Sequence, residues 1–156
     1  MSECCNFEIV FQLVLAVFLG GLVGLEREYL RKEAGLRTCS LVCLAATLFT
    51  IVALEISVSF MGSPGVNFDP ARIIGQIVLG VGFLGAGLII YRQSRVEGLT
   101  TAAALWVVAA VGATIGAKFY FLAIFATFLS VAILSIFRLF EERLLGTKKP
   151  EETDEK

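Results

Sequence analysis

Long runs of apolar residues separated by short polar segments cover most of the chain. Each run is close to the roughly 20 residues that an α-helix needs to cross the hydrocarbon core of a bilayer. The connections are short, so neighbouring helices are expected to pack antiparallel. The pattern therefore predicts an all-α fold, a polytopic transmembrane bundle of five helices, at residues 7–25, 37–58, 72–91, 98–116 and 118–138.

Composition agrees with this class. Hydrophobic residues make up 57% of the chain and charged residues 17%, whereas about a quarter of the residues of an average soluble domain are charged. The chain is long enough for one bundle, which we place at residues 1–145. Residues 146–156 are polar and charged and are expected to form a disordered cytoplasmic tail.

The distribution of positive charge predicts the orientation of the bundle. When the polar segments are assigned to alternate sides of the membrane, all of the 13 Lys and Arg residues except Arg72 and Lys118 fall on one side. The side rich in Lys and Arg is normally the cytoplasm. We therefore expect a multi-pass protein of the inner (plasma) membrane, with the N-terminus outside and the C-terminus in the cytoplasm.

Residue types that support catalysis are scarce. The chain has no histidine, which removes Ser-His-Asp and Cys-His arrangements and histidine proton relays. Its four cysteines are Cys4, Cys5, Cys39 and Cys43, and neither pair has a second thiolate pair nearby. Because buried cysteine commonly packs as a small apolar residue, we predict no metal site and no enzyme activity.

Four polar residues lie near the predicted outer ends of the second and third helices: Glu55, Asp69, Arg72 and Gln76. An ionisable group inside the membrane costs a few kcal/mol on insertion scales unless it is paired or wet. The four residues are therefore candidates for an ion-pair lock or for the outer mouth of a path. For Asp69, which precedes a proline, a plain helix cap is an equal alternative.

Seven residues on the predicted cytoplasmic side form a second candidate group. They lie in the first loop and at the start of the fourth helix: Glu26, Arg27, Glu28, Arg37, Thr38, Thr100 and Thr101. The two threonines also fit a purely structural role, because threonine is a preferred residue at the start of a helix.

Small residues are concentrated in the predicted helices. Glycine allows the closest approach of two helices in lipid, where association depends largely on packing. We assign to helix packing Gly20, Gly24, Gly82, Gly85, Gly87, Gly112, Gly116 and Trp106. The stripe Gln12, Ala16, Gly20, Gly24 and Glu28 gives the first helix a small, partly polar face. Trp106 is predicted to face the bundle, and packing within the chain and dimerisation both remain open.

These residues, in this order, resemble the MgtC/SapB family of bacterial and archaeal membrane proteins. The resemblance covers residues 20–120 and rests on five motifs: GLERE at 24–28, AGLRT at 34–38, DPAR at 69–72, GFLGAG at 82–87 and GLTTAA at 98–103. It implies an inner-membrane bundle whose best-known members are linked to growth under low magnesium, partly by restraining the proton-driven ATP synthase. Those members carry a C-terminal soluble domain that we expect to be missing here.

The leading hypothesis is a non-enzymatic membrane protein, associated with magnesium limitation or envelope stress, that acts by contact with other membrane proteins. The alternative is an oligomeric transporter or channel for Mg²⁺ or H⁺. Besides membrane lipids and other membrane proteins, a second copy of the chain stays open as a partner. No nucleic acid and no cofactor are expected, and Mg²⁺ binding remains open.

Overall fold

The computed structural model describes residues 3–60, 69–92 and 95–144, so the predicted tail at 146–156 lies outside the described residues. Five described helices are long and apolar enough to cross a membrane, which confirms the predicted fold class. The elements in chain order are α1 Glu3–Tyr29, α2 Leu36–Phe60, α3 Pro70–Leu88, β1 Ile90–Arg92, β2 Arg95–Glu97, α4 Leu99–Gly116 and α5 Tyr120–Leu144.

The start of α3 follows from three consecutive residues. The side chain of Asp69 accepts a hydrogen bond of 2.9 Å from the backbone N–H of Ala71, and Pro70 occupies the first helical turn. Proline is well suited there because its fixed φ is helical and its missing N–H has no intrahelical partner to lose. The cap that we predicted as one alternative for Asp69 is therefore formed.

The end of α3 differs from the sequence prediction. The helix ends at Leu88, and Ile89 already has an extended conformation with φ −85° and ψ 110°. Strands β1 and β2 then form an antiparallel hairpin in which Ile90 faces Glu97. The uncharged run of residues conceals this change, because the β-branched Ile89 and Ile90 fit an extended backbone as well as a membrane helix.

Two tight connections orient the later helices. Gly98, with φ 87°, precedes α4, and a Cβ at this position would lie 2.0 Å from the carbonyl oxygen of Leu88. Only glycine adopts this backbone conformation freely and allows such an approach. Between α4 and α5 the chain reverses within three residues, with Lys118 at φ 66°.

Helices α1, α2 and α4 form the centre of the bundle, and α3 and α5 pack against the outside of it. The buried residues at the centre are mostly small or medium in size, and they include Ala16, Val23, Cys39, Cys43, Ala46, Leu105, Val108 and Ile115. Small side chains let the three helix backbones approach one another closely, as lipid-embedded helices require.

Candidate functional site

The polar residues inside the bundle are hydrogen-bonded. Gln12 of α1 is buried, and its Nε2 donates to the carbonyl oxygens of Ile115 and Gly116 at 2.8 and 3.3 Å. Thr47 Oγ1 of α2 lies 2.8 Å from the Gly112 carbonyl oxygen of α4. Within the described part of the chain, no buried side-chain nitrogen or oxygen lacks a hydrogen-bond partner. These contacts therefore link the three central helices, and they engage the described buried polar side chains within the chain.

Four of the glycines assigned to packing lie where helices cross at the centre. A Cβ on Gly20 would lie 2.6 Å from Cys43 Cβ, and one on Gly24 would lie 2.7 Å from Leu36 Cα. On α4, a Cβ on Gly112 would lie 2.3 Å from the Cys43 carbonyl oxygen. A Cβ on Gly116 would lie 2.7 Å from the Thr47 carbonyl oxygen of α2. The absence of a side chain at these positions is therefore required by the packing of one chain.

The glycines of α3 are in a different environment. Gly85 is in contact with Ala102 of α4, where an added Cβ would lie at 3.4 Å. A Cβ on Gly82 or Gly87 would meet no described atom within 4 Å, so the packing role that we predicted for these two is absent from the single chain. The reason is the peripheral position of α3, which turns only one side toward α4 and α2. Gly75 and Gly80 are equally open.

The prediction that Trp106 faces the bundle is wrong. The side chain of Trp106 is 49% exposed on the surface of α4 instead of facing the bundle. The inner face of α4 is formed by smaller residues, including Ala102, Ala109 and Gly112, which are buried. An indole ring does not fit on this inner face, because the backbones of the neighbouring helices lie too close to it. The sequence did not reveal which face of α4 is buried, because both faces are apolar and show no periodicity.

The predicted outer polar cluster is not assembled by hydrogen bonds or ion pairs. Glu55 and Arg72 are both exposed. Among the residues that the structure describes, no ion pair joins Arg72 to Glu55 or Asp69. Asp69 serves as the cap of α3. Gln76 is exposed on the surface of α3, where it borders an apolar groove.

This α2–α3 groove has a volume of about 460 Å³. The residues that line it come from two helices: Val42, Ala45, Ala46 and Phe49 from α2, and Ile73, Gln76, Ile77, Gly80, Val81 and Leu84 from α3. Gln76 is the only polar residue among the described residues of this lining, and none of the described residues forms a hydrogen bond with its side chain. A side-chain amide inside lipid without a hydrogen-bond partner is unfavourable. The groove therefore combines an open apolar surface with the Gln76 amide, whose donors and acceptor have no partner among the described residues.

On the predicted cytoplasmic side, carboxylates at the end of α1 and in the loop that follows hold the connection to α2 in place. Arg27 is buried, and its Nη2 donates to Glu26 Oε1 at 2.8 Å. Glu28 Oε2 accepts a 2.8 Å hydrogen bond from the backbone N–H of Leu36, at the start of α2. The third carboxylate, Glu33, accepts a hydrogen bond of 3.2 Å from Thr101 Oγ1. The loop is thus attached to α2 and α4.

Other predicted residues on this side are exposed. Arg37 and Thr38 lie at the surface of the first turn of α2. Thr100 borders a cavity of about 710 Å³ between the end of α1, the start of α4 and the last turns of α5. Arg27, Arg31, Lys32 and Arg138 also line this cavity. The last three were not predicted from the sequence, because they come from distant segments and resemble ordinary charged residues of loops and helix ends.

Metal-binding geometry is not found in the residues described. No group of three or more His, Cys, Asp or Glu side chains in residues 3–60, 69–92 and 95–144 could hold a metal ion. Cys39 and Cys43 are free and buried, and Cys39 Sγ lies 3.6 Å from the Ala34 carbonyl oxygen.

Comparisons with known proteins agree with the membrane architecture. Residues 13–143 match the sequence profile of the MgtC family. A protein of Escherichia coli (strain K12) named "Putative magnesium transporter YhiD" is 40% identical over 139 residues, which cover 89% of this chain and 65% of that protein. Protein SapB of Bacillus subtilis (strain 168) is 36% identical over 148 residues, or 94% of this chain and 63% of SapB.

A third relative, Protein MgtC of Brucella abortus (strain 2308), is 41% identical over 123 residues, or 79% of this chain and 48% of that protein. The chain thus spans about half to two thirds of the length of these three curated relatives. No solved structure matches it.

Proposed function

The chain belongs to the MgtC family, and we propose that it acts without catalysis, by binding a helix of another membrane protein in the α2–α3 groove. The name of the Escherichia coli relative refers to magnesium transport, and none of the three names reported above denotes an enzyme. The chain is a multi-pass membrane protein. Its role is associated with magnesium supply or envelope stress, as the family resemblance implies.

One observation carries this proposal: the groove presents an open glycine beside an amide that has no described partner. Gln76 and Gly80 are four residues apart on α3, so they lie on the same face of the helix. Gly80 would let a partner backbone approach closely, and Gln76 would form an interhelical hydrogen bond. Small residues and amides are the two residue classes that associate helices in lipid.

Site-specific photo-crosslinking in native membranes tests the proposal. Phe49 lines the groove and is 58% exposed, so replacing it with p-benzoylphenylalanine is conservative. Phe18 of α1, which is 63% exposed and does not line the groove, provides a matched control. We expect a discrete protein adduct from position 49 alone, identified by mass spectrometry, whose yield changes with magnesium supply.

Two outcomes would contradict the proposal. Identical adducts from positions 49 and 18 would mean that the groove is covered only by lipid and by random neighbours. An adduct with twice the mass of the chain would place a second copy in the groove instead of a different protein.

Ion transport is the second candidate, and the printed name of the Escherichia coli relative favours it. Magnesium binds oxygen ligands and usually keeps several waters. The interior of one chain offers small apolar residues and hydrogen-bonded polar groups, so a path would have to run between copies. Flux of magnesium and protons into liposomes, reduced by Arg72→Ala, would support transport. No flux above empty liposomes would exclude it.

A further inference from the structure

The cavity between α1, α4 and α5 is strongly basic. Among the described residues that line it, four are cationic and none is a carboxylate: Arg27, Arg31, Lys32 and Arg138. Tyr29, Leu30, Thr100 and three apolar residues of α5 complete the described lining. The three acidic residues at the end of α1 and in the adjoining loop are already engaged. Glu26 is held by Arg27, Glu28 by the Leu36 N–H and Glu33 by Thr101. Arg27 is thus paired with Glu26, and among the described residues no carboxylate forms an ion pair with Arg31 or Lys32.

Backbone hydrogen bonds at the end of α1 fix the positions of two of these cationic residues, Arg31 and Lys32. The N–H of Lys32 donates to the Arg27 carbonyl oxygen at 3.0 Å, and the N–H of Arg31 donates to the Glu28 carbonyl oxygen at 2.9 Å. This pair of bonds is a Schellman motif, which ends α1 with Arg31 in the left-handed region at φ 52°. Glycine usually occupies that position because it has no Cβ, so the chain here places a long cationic side chain where the backbone conformation favours none.

Arg27 lies deeper and is 3% exposed. Its ion pair with Glu26 uses Nε and Nη2, so Nη1 remains as a donor. On the other side of the cavity, α4 begins at Gly98, which provides no side-chain cap for the first helical N–H groups. A helix N-terminus and arginine side chains both favour a phosphate oxygen.

The remaining walls are apolar. Ile133, Leu134 and Phe137 of α5 form an apolar wall of the cavity. A volume of about 710 Å³ is within the range of small-molecule sites in proteins. Basic pockets between membrane helices on the cytoplasmic side characteristically bind phospholipid headgroups.

We propose that this cavity binds a phosphate group of net negative charge, with Arg31, Lys32 and Arg138 as its cationic ligands and Thr100 as a hydroxyl donor. The apolar α5 wall would accommodate the adjoining glycerol and upper acyl segments of an anionic phospholipid. A soluble phosphate compound shares the same recognition chemistry. This site is separate from the α2–α3 groove and does not depend on the role proposed for it.

Lipid binding is measured on the whole chain in phosphatidylcholine nanodiscs that contain a small proportion of spin-labelled phosphatidylglycerol. The motionally restricted fraction of the label reports bound lipid. Arg138→Gln removes a charge from the cavity, and Arg37→Gln removes one from the first turn of α2, outside the cavity. Ile133→Trp narrows the cavity without changing its charge.

We expect Arg138→Gln to weaken phosphatidylglycerol binding about fivefold, which corresponds to the roughly 1 kcal/mol contributed by one basic residue near an anionic surface. Ile133→Trp should also weaken it, and Arg37→Gln should change it less than twofold. Spin-labelled phosphatidylcholine should show no restricted fraction that depends on Arg138. This pattern would establish a lipid headgroup as the ligand.

Sodium phosphate, compared with sodium chloride at equal ionic strength, distinguishes the two sources of the phosphate group. Displacement of the labelled lipid by phosphate alone, with the same dependence on Arg138, would support the site and identify a soluble phosphate as a ligand. Equal weakening by Arg37→Gln and Arg138→Gln would overturn the proposal, because only the general charge of that face would then matter. Failure to distinguish phosphatidylglycerol from phosphatidylcholine would overturn it as well.

Discussion

The glycines at the centre of the bundle and those of α3 are the same residue type in opposite environments. Gly20, Gly24, Gly112 and Gly116 are in such close contact with neighbouring backbones that an added Cβ would collide with them. Gly75, Gly80, Gly82 and Gly87 meet no described atom within 4 Å of such a Cβ. A glycine-rich membrane helix therefore does not identify its own partner. In this chain the central glycines pack within one copy, and we propose that Gly80 of α3 serves another molecule.

The largest effect is expected from Gly112→Ala. The new Cβ would lie 2.3 Å from the Cys43 carbonyl oxygen, which belongs to a helix backbone and does not move aside easily. Overpacking of this kind costs about 3 kcal/mol at the upper end of its usual range. Reversible unfolding in mixed micelles measures the change. An unchanged free energy of unfolding would mean that the central helices are less closely packed than the structure shows.

Gly98→Ala is expected to have the next largest effect, at the point where α3 is joined to α4. Alanine at φ 87° is strained by about 2 kcal/mol, and its Cβ would also press against the Leu88 carbonyl oxygen. The same unfolding measurement applies. Hydrogen exchange should additionally show faster exchange at the end of α3 than in α1. Equal exchange in both regions would contradict the role of Gly98 in holding this junction.

A smaller loss is expected from Gln12→Leu, which keeps the approximate size of the side chain and removes its donors to Ile115 and Gly116. Interhelical hydrogen bonds in membranes contribute about 1 kcal/mol. The matched change Gln76→Leu removes an amide that has no described partner, so it should leave the unfolding free energy of the single chain unchanged. Equal losses for the two variants would remove the distinction between the centre and α3.

The smallest effect on stability is expected from Gly80→Ala and Gly82→Ala. Their new methyl groups would enter open space, and alanine favours a helix over glycine by about 1 kcal/mol. Both variants should unfold at the same denaturant concentration as the native chain, or slightly higher. A loss comparable to that of Gly112→Ala would show that α3 is covered within the single chain.

Much of the centre could be predicted from the sequence. The four-residue stripe on the first helix identified Gln12, Ala16, Gly20 and Gly24, all of which are buried. Glu28, the last member of that stripe, is exposed and instead accepts a hydrogen bond from the start of α2. The periodicity of the sequence reveals the buried face of α1 because the polar and small residues of this helix repeat along one side.

The remaining features depend on information that is not local. Trp106 lies on a helix that is apolar on every side, so no pattern distinguishes its inner face. The basic cavity gathers side chains from α1, the first loop, α4 and α5, and its volume depends on the spacing between those helices. The β1–β2 hairpin was missed because Ile90 and Tyr91 extend an uncharged run that is equally compatible with a helix.

The most direct test of the account is photo-crosslinking from position 49 in the background of Gly80→Leu and of Gly82→Leu. Both glycines are open in the single chain, but Gly80 lines the α2–α3 groove and Gly82 does not. We predict that Gly80→Leu abolishes the adduct, that Gly82→Leu preserves it, and that both variants remain as stable as the native chain. An adduct that survives Gly80→Leu at full yield would contradict the claim that a partner helix occupies this groove.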